Sequence, residues 1–295
     1  MNLENEYLTA AWLKSIREHI DPMADIRMIG IIGGGSINDA RRVEASCGTY
    51  FAKINEAGPF PGMFEAEAKG LKFLAENSEF DIPTPIDTGE SDDIQWILME
   101  YVEHASKKPD FWEKFGVRLA RMHRNTNKNF GADTDNYLGN LPQQNSFKST
   151  WGQFFAENRI GPQLKMAKDQ GLASDQMVKL LEKVMKKADQ YFPDEPPAAI
   201  HGDLWTGNFS TNPLGEATIF DPSAHYGHRE MDIAMSKLFG GFDAKFYDSY
   251  NSEYPLEKGW EERLPIADLY PLLAHLNIFG GTYAYQIMNI LRRNV

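Results

Sequence analysis

The stretch His201-Gly202-Asp203-Leu204-Trp205-Thr206-Gly207-Asn208, followed after a short apolar run by Phe220-Asp221-Pro222, carries the most information about fold and chemistry. It sets an acid, an amide and a second acid within one short span. Asn212-Pro213-Leu214-Gly215 is a turn signal and Ala217-Thr218-Ile219-Phe220 a β-prone run, so Phe209 to Phe220 is predicted as a hairpin. Such a hairpin folds Asp221 back beside Asn208. Transfer of a γ-phosphoryl group asks a protein for positioning and charge neutralisation: one carboxylate to orient the attacking hydroxyl, and an Asn and an Asp to hold Mg²⁺. Asp203, Asn208 and Asp221 match these three requirements. Taken alone, Asp203 and Asn208 equally suit an ordinary strand end, with Asp capping a turn and Asn tolerating a left-handed conformation.

The spacing Asp-x-x-x-x-Asn is that of kinase catalytic loops. A metallophosphoesterase also uses Gly-Asp and Gly-Asn pairs among histidine ligands, but it needs an upstream Asp-x-His and a downstream Gly-Asn-His, and the chain has neither. A kinase further needs glycines over the phosphates, a lysine on a strand and a glutamate on a helix to hold it. The apolar run Ile29-Gly30-Ile31-Ile32 leads into Gly33-Gly34-Gly35-Ser36, where glycines let backbone approach an anion. The triplet precedes two predicted strands, Ala40 to Ser46 and Tyr50 to Asn55, joined at Cys47-Gly48-Thr49. A following hairpin, not a helix, argues against a Walker A loop and a dinucleotide fingerprint.

In Tyr50-Phe51-Ala52-Lys53-Ile54-Asn55, alternation puts Phe51, Lys53 and Asn55 on one face. The next predicted helix, Met63 to Asn77, has an apolar stripe of Phe64, Leu71 and Leu74 that contains one acid, Glu67. A carboxylate aimed at a core is costly unless a cation meets it, and Lys53 is the nearest candidate. A pair serving stability alone has the same pattern. Asp93 to Val102 then reads as a buried strand running into polar sequence, which places the backbone of Glu100, Tyr101 and Val102 at the adenine edge of a two-lobed kinase; a plain edge strand explains these residues equally well.

These residues resemble the fructosamine kinases (ketosamine 3-kinases), within the aminoglycoside-phosphotransferase and choline-kinase branch of the protein-kinase-like fold. The resemblance runs from about Ile29 to the C-terminus. It rests on Gly33-Gly34-Gly35-Ser36-Ile37, Phe64-Glu65-Ala66-Glu67, His201 to Asn208, Phe220 to Glu230 with its Tyr226-Gly227-His228, and Leu238-Phe239-Gly240-Gly241-Phe242. It implies ATP-dependent phosphorylation of the 3-hydroxyl of a sugar joined through C1 to an amine, free or on a protein lysine, with release of the amine from an unstable product. Position by position, it implies Asp203 as catalytic base, Asn208 and Asp221 as Mg²⁺ ligands, and Lys53 held by Glu67 at the α- and β-phosphates. His201 would brace the loop through backbone, and Asp232 matches a family acid with the same bracing role, unless it is only an acid in a helix's first turn. Many members carry a cysteine after the glycine triplet, associated with an intermolecular disulfide; this chain has Ser36 there. Its single cysteine, Cys47, falls at a predicted hairpin turn.

The fold class expected is α+β and two-lobed. The nucleotide-binding lobe spans 1–101, a small antiparallel sheet with an initial helix near Leu8 to Ile20 and the helix bearing Glu67. The catalytic and acceptor-binding lobe, 102–295, is mainly helical. Helices are predicted at Phe111 to Arg124, Trp151 to Gln170, Asp175 to Tyr191, Arg229 to Phe239 and in the last forty or so residues. Asn136 to Ser149 reads as a long connection bordering the acceptor pocket. Leu269 to Leu291 holds no Asp, Glu, Lys or Arg, but Pro271, His275, Asn277, Gly280-Gly281, Gln286 and Asn289 make it two buried helices and not a membrane span. Its aromatics, Phe279, Tyr283 and Tyr285, are expected in core or pocket wall.

The 295 residues, 42% hydrophobic, suffice for a large core in two lobes. One cysteine excludes an internal disulfide, and the acidic start Met1-Asn2-Leu3-Glu4-Asn5-Glu6 lacks the marks of a signal peptide, so a cytoplasmic protein is expected. A net charge of −12 disfavours nucleic acid and anionic membrane as partners and suits a cationic amine substrate. The expected state is a monomer or weak dimer.

Overall fold

The computed structural model describes residues 3–32, 38–91 and 93–295; the expected glycine-rich turn, Gly33, Gly34, Gly35 and Ser36, lies outside them. The chain starts with α1 (Leu3–His19), β1 (Ile26–Ile32), β2 (Asp39–Ala45), β3 (Gly48–Glu56), α2 (Met63–Asn77), β4 (Pro85–Glu90) and β5 (Ile94–Glu100). The strands form one antiparallel sheet in the order β1-β2-β3-β5-β4. Leu8, Trp12 and Ile16, four residues apart on α1, pack on Tyr50, Ala52, Ile54, Trp96 and Leu98 to make a core on one face of the sheet. Alternation along β3 therefore turns Phe51 and Lys53 to the other face, where α2 lies.

The remainder holds α3 (Phe111–Met122), β6 (Asn136–Leu138), β7 (Leu141–Gln143), α4 (Trp151–Phe154), a π-helical turn Phe155–Ile160, α5 (Gly161–Asp169), α6 (Asp175–Lys186), α7 (Ala188–Tyr191), β8 (Ala198–Ile200), β9 (Phe209–Thr211), β10 (Ala217–Ile219), β11 (His225–Gly227), α8 (Glu230–Leu238), α9 (Ala244–Glu253), α10 (Trp260–Ala267), α11 (Leu269–Phe279) and α12 (Thr282–Asn294). A second and larger core joins these helices to the inner face of α2 through Phe64, Leu71 and Leu74, and to Ile97 and Met99 of β5. The helix bearing Glu67 thus belongs to the same packed body as the helices.

Several expectations need correction. The predicted helix Trp151 to Gln170 is interrupted by the π turn, which fits a fully buried Arg159 bonded to the Gln144 carbonyl and Asn145. The helix Asp175 to Tyr191 breaks at Lys187 (φ −113°). Asn136 to Ser149 is not a plain connection: it opens with the β6–β7 hairpin. The helix α9 was not expected at all. Leu269 to Leu291 does split into two helices at Gly280 (φ 89°), but Phe279 and Tyr285 are 53% and 72% exposed instead of lying in core or pocket wall. No described helix is long and apolar enough to cross a membrane.

Candidate active site

The hairpin read from Asn212-Pro213-Leu214-Gly215 forms: Phe209, Ser210 and Thr211 of β9 pair with Ile219, Thr218 and Ala217 of β10. It returns the chain so that Phe220 N donates to Asn208 O at 3.1 Å. Asn208 Nδ2 donates to the Asp203 carbonyl and carboxylate, both at 2.9 Å, and toward Asp221 O at 3.4 Å. The three residues 203, 208 and 221 are thereby tied together.

Asp221 has φ 57°, the one non-glycine residue with positive φ among those described. Left-handed backbone is strained for a side chain with a Cβ, and a following proline disfavours it further. Such an outlier persists where surrounding structure over-determines it, commonly at functional sites. Its carboxylate contacts Lys53 Nζ, which also donates to Glu67 Oε1 at 2.7 Å. The Lys53 and Glu67 side chains are only 9% and 11% exposed. Gly70, one turn beyond Glu67, explains how α2 reaches this place: a Cβ there would lie 2.9 Å from Pro222 Cγ. A glycine inside a helix was the available signal for that close approach.

Lys53, Glu67, Asp203, Asn208 and Asp221 all border one cavity of about 480 Å³, with Phe51 and Trp205 among its apolar walls. Asn136, Tyr137 and Gly139 border it as well, and Tyr137 Oη donates to Pro61 O at 2.9 Å across its rim. Glu100, Tyr101 and Val102 do not border this cavity. Glu100 is bound to the strand entry beside it, its N–H donating to Thr84 O at 3.0 Å and its carboxylate accepting from Thr84 N at 3.1 Å. The Glu100 N–H is therefore spent, whereas the backbone groups of Tyr101 and Val102 have no hydrogen bond among the described residues.

Burial raises the Asp203 carboxyl to about 7 against the hydrogen bond from Asn208, with Asp221 and Asp232 adding to the rise. Burial opposes the charge on Lys53, but Asp221 and Glu67 together outweigh it and hold the ammonium above its ordinary range. Burial raises Glu67, with Lys53 opposing. His201 is lowered by burial and is neutral; its Nδ1 accepts from Asp203 N at 3.2 Å and its Nε2–H donates to Phe220 O at 3.0 Å. Asp232 accepts from the amides of His201 and Gly202 at 2.7 and 2.8 Å, so it braces the loop and is not just an acid in a helix's first turn. Among the described residues no cluster of three His, Cys, Asp or Glu could hold a metal ion.

A cavity with a paired lysine, an amide, an acid of left-handed backbone and a buried acid raised by desolvation has the groups to bind a polyphosphate and accept a proton from a hydroxyl. Comparison with known proteins gives the family and the fold. The fructosamine kinase family model matches residues 9–295. The chain is 36% identical over 279 residues to the chloroplastic protein-ribulosamine 3-kinase of Arabidopsis thaliana, spanning 90% of this chain and 82% of that one. A Thermobifida fusca crystal structure provisionally named fructosamine-3-kinase superposes with TM-score 0.84 at 36% identity, over 95% and 96% of the two chains. The aminoglycoside phosphotransferase APH(4)-Ia, solved with AMP-PNP and hygromycin B, superposes with TM-score 0.60 at 15% identity over 95% and 97%, a likeness of fold. The α+β, two-lobed, protein-kinase-like fold expected from the sequence is the fold observed, and the chain belongs to the fructosamine kinase family.

Proposed function

We propose that this protein is an ATP-dependent ketosamine 3-kinase, phosphorylating the 3-hydroxyl of a fructosamine or ribulosamine, free or on a protein lysine, and so promoting release of the amine. The observation that carries it is the meeting of Lys53 with both Glu67 and Asp221, 14 and 168 positions away, on a cavity shared with Asp203 and Asn208. The family match and the ribulosamine 3-kinase relative support the acceptor class. An aminoglycoside or choline acceptor has only the fold in its favour.

Asp203 is assigned as the base. It takes the proton of the acceptor hydroxyl as that oxygen bonds to the γ-phosphorus, and the bond from the γ-phosphorus to the bridging oxygen breaks, leaving its electron pair on ADP. Lys53, held by Glu67, faces the α- and β-phosphates. Asn208 and Asp221 are assigned to Mg²⁺, and the donor set fits: the Asn208 amide nitrogen is taken up by the Asp203 carbonyl, which turns Oδ1 away from it, and the Asp221 carboxylate is 42% exposed. Hard oxygen donors suit that ion, which when bound neutralises phosphate charge. Tyr101 and Val102 are assigned to the adenine edge, Gly33, Gly34, Gly35 and Ser36 to the phosphates, and the border between lobes to 101/102.

ATP consumption measured with fructose-lysine, ribulose-lysine, choline and kanamycin is the direct test. Turnover confined to the ketosamines is expected; turnover with kanamycin or choline alone would overturn the acceptor assignment. ATP-dependent thermal stabilisation with no turnover on any of the four would mark a pseudokinase.

A further inference from the structure

Arg159, in the π-helical turn, is 1% exposed, and its hydrogen-bond partners are neutral. Its Nη1 donates to Gln144 O at 2.6 Å and Asn158 O at 3.1 Å, its Nη2 donates to Asn145 Oδ1 at 2.7 Å, and its guanidinium lies over the rings of Phe154 and Tyr270. Burial pushes it down to about 10, which leaves it charged at neutral pH. An arginine cannot accept a hydrogen bond, so Asn145 turns its oxygen to Arg159 and its nitrogen the other way. Asn145 Nδ2 donates to Asn136 Oδ1 at 2.9 Å; Gln143 Nε2 donates to the same oxygen at 2.8 Å, while Gln143 Oε1 accepts from the Tyr270 hydroxyl. Asn136, its oxygen taken twice, presents its amide to Ala224 O at 3.0 Å. The same hairpin holds Ser223, whose Oγ donates to Tyr137 O and whose carbonyl faces Gln143 Nε2 at 3.4 Å. All three amide side chains are buried, and the orientation of each follows from the one before it.

Resting on the kinase reading above, we propose that Arg159 is a positioning residue for the acid assigned to Mg²⁺: through Asn145 and Asn136 it fixes residues 222–224, and with them the left-handed backbone and the carboxylate of Asp221. At φ 57° Asp221 persists because its neighbours are pinned. On one side Phe220 N is bonded to Asn208 O; on the other the pins are Ser223 N to His201 O at 3.0 Å and the amides of the β6–β7 hairpin. Losing the arginine removes what decides the relay. A turned Asn145 would set its oxygen against Asn136 Oδ1, and a turned Asn136 would set its own against Ala224 O, each an unpaired buried acceptor facing another. Arg159 and Asn145 do not line the cavity, so any effect they have on the site passes through this chain of amides. An arginine that served the helical core alone would change the melting temperature and leave the cation site as it was.

The full-length chain with Arg159→Met and with Asn145→Asp tests this. Arg159→Met frees Asn145 to turn. Asn145→Asp gives Arg159 a counter-charge yet has no amide to donate to Asn136, so it cuts the relay while the arginine stays satisfied. In both variants the Mg²⁺ concentration that gives half of the thermal stabilisation by AMP-PNP rises on the order of 10–100-fold, the scale of losing a partner that orients a metal ligand. The smaller stabilisation by AMP-PNP in EDTA is unchanged. Hydrogen exchange at the Ser223 amide, read with no ligand present, becomes faster than in the unmodified protein, while exchange in α9 keeps its rate. A folded Arg159→Met protein with native half-saturating Mg²⁺ or native exchange at Ser223 overturns the proposal; should that variant not fold, the same result in Asn145→Asp overturns it. Absence of any Mg²⁺-dependent stabilisation in the unmodified protein would instead defeat the kinase reading, and exchange at Ser223 would still judge the relay.

Discussion

At the scale of single residues, the proposed chemistry turns on a carboxyl that burial pushes up to about 7. Asp203, raised to about 7, takes up a proton more readily folded than unfolded, so its contribution to stability is complete below the ordinary carboxylate range and is lost as pH rises through about 7. Asparagine mimics its protonated form. Asp203→Asn should therefore raise the melting temperature relative to the unmodified protein at pH 8, with the gain shrinking steadily as pH falls below about 7 and vanishing only below the ordinary carboxylate range. The same substitution removes the base: kcat should fall by roughly 10²–10⁴-fold while calorimetric AMP-PNP affinity is nearly kept. In the unmodified protein kcat/KM should climb with pH to a midpoint near 7 set by the free enzyme. A flat profile from pH 5.5 to 8.5 would remove Asp203 from that role. That Asp203, Asn208 and Asp221 would meet was readable, because the turn signal between them folds the second acid back beside the amide, and they do border one cavity. The left-handed backbone of Asp221 was not readable, since the following proline argues against it and the contacts around it, Lys53 with its carboxylate and Gly70 with Pro222, come from residues distant in sequence.

At the scale of elements, β3 and α2 share a buried ion pair that neither sustains alone. Removing one partner of such a pair strands the other, whereas removing both can be nearly neutral. Lys53→Met should lower unfolding free energy on the order of 3 kcal/mol in urea titrations, and Lys53→Met with Glu67→Gln should recover a large part of it. Additive losses would mean that the two side chains are not coupled. A second element contact is tighter still: at Gly116 of α3 an added Cβ would lie 2.2 Å from Phe246 O on α9, and backbone cannot step aside as a side chain can. Gly116→Ala should cost about 1–3 kcal/mol; an unchanged urea midpoint would show that α3 and α9 are free to separate. The strand pair carrying Lys53, the helix Met63–Asn77 and the hairpin after Asn208 were legible because period and turn chemistry coincide there. The helix α9 was hidden, since Ala-Lys-Phe-Tyr-Asp-Ser-Tyr-Asn-Ser-Glu is mostly polar and owes its form to docking of Phe246 and Tyr250 against α3. The π turn was hidden for a like reason, because the buried Arg159 that it accommodates is satisfied by a loop over ten residues upstream.

At the scale of the molecule, the sheet with α1 has one core and the helices with α2 another, and the cavity opens where β3 of the first faces α2 and the catalytic loop of the second. Two lobes were foreseeable from the order of strands before helices; that α2 packs with the helical core was not, because its apolar stripe does not say which partner it meets. This arrangement makes the metal-binding assignment testable without any turnover. In the free protein Lys53 already neutralises Glu67 and contacts Asp221, so Asp221→Asn leaves the Lys53–Glu67 pair in place and should barely change the melting temperature. A ligand that binds only the folded state adds RT ln(1 + [L]/Kd), about 2.7 kcal/mol at a hundredfold excess over Kd. AMP-PNP with Mg²⁺ should stabilise the unmodified protein on that scale, and EDTA should remove most of the gain, because a triphosphate without its ion meets Asp203 and Asp221 with Lys53 the one cationic side chain lining the cavity among the described residues. In Asp221→Asn and Asn208→Ala the difference between the Mg²⁺ and EDTA arms should collapse while a weak nucleotide effect through Lys53 survives. An Asp221→Asn protein whose melting temperature responds to Mg²⁺ and AMP-PNP as the unmodified protein does would show that the ion is held elsewhere, and the pairing of Asn208 with Asp221 would then be structural only.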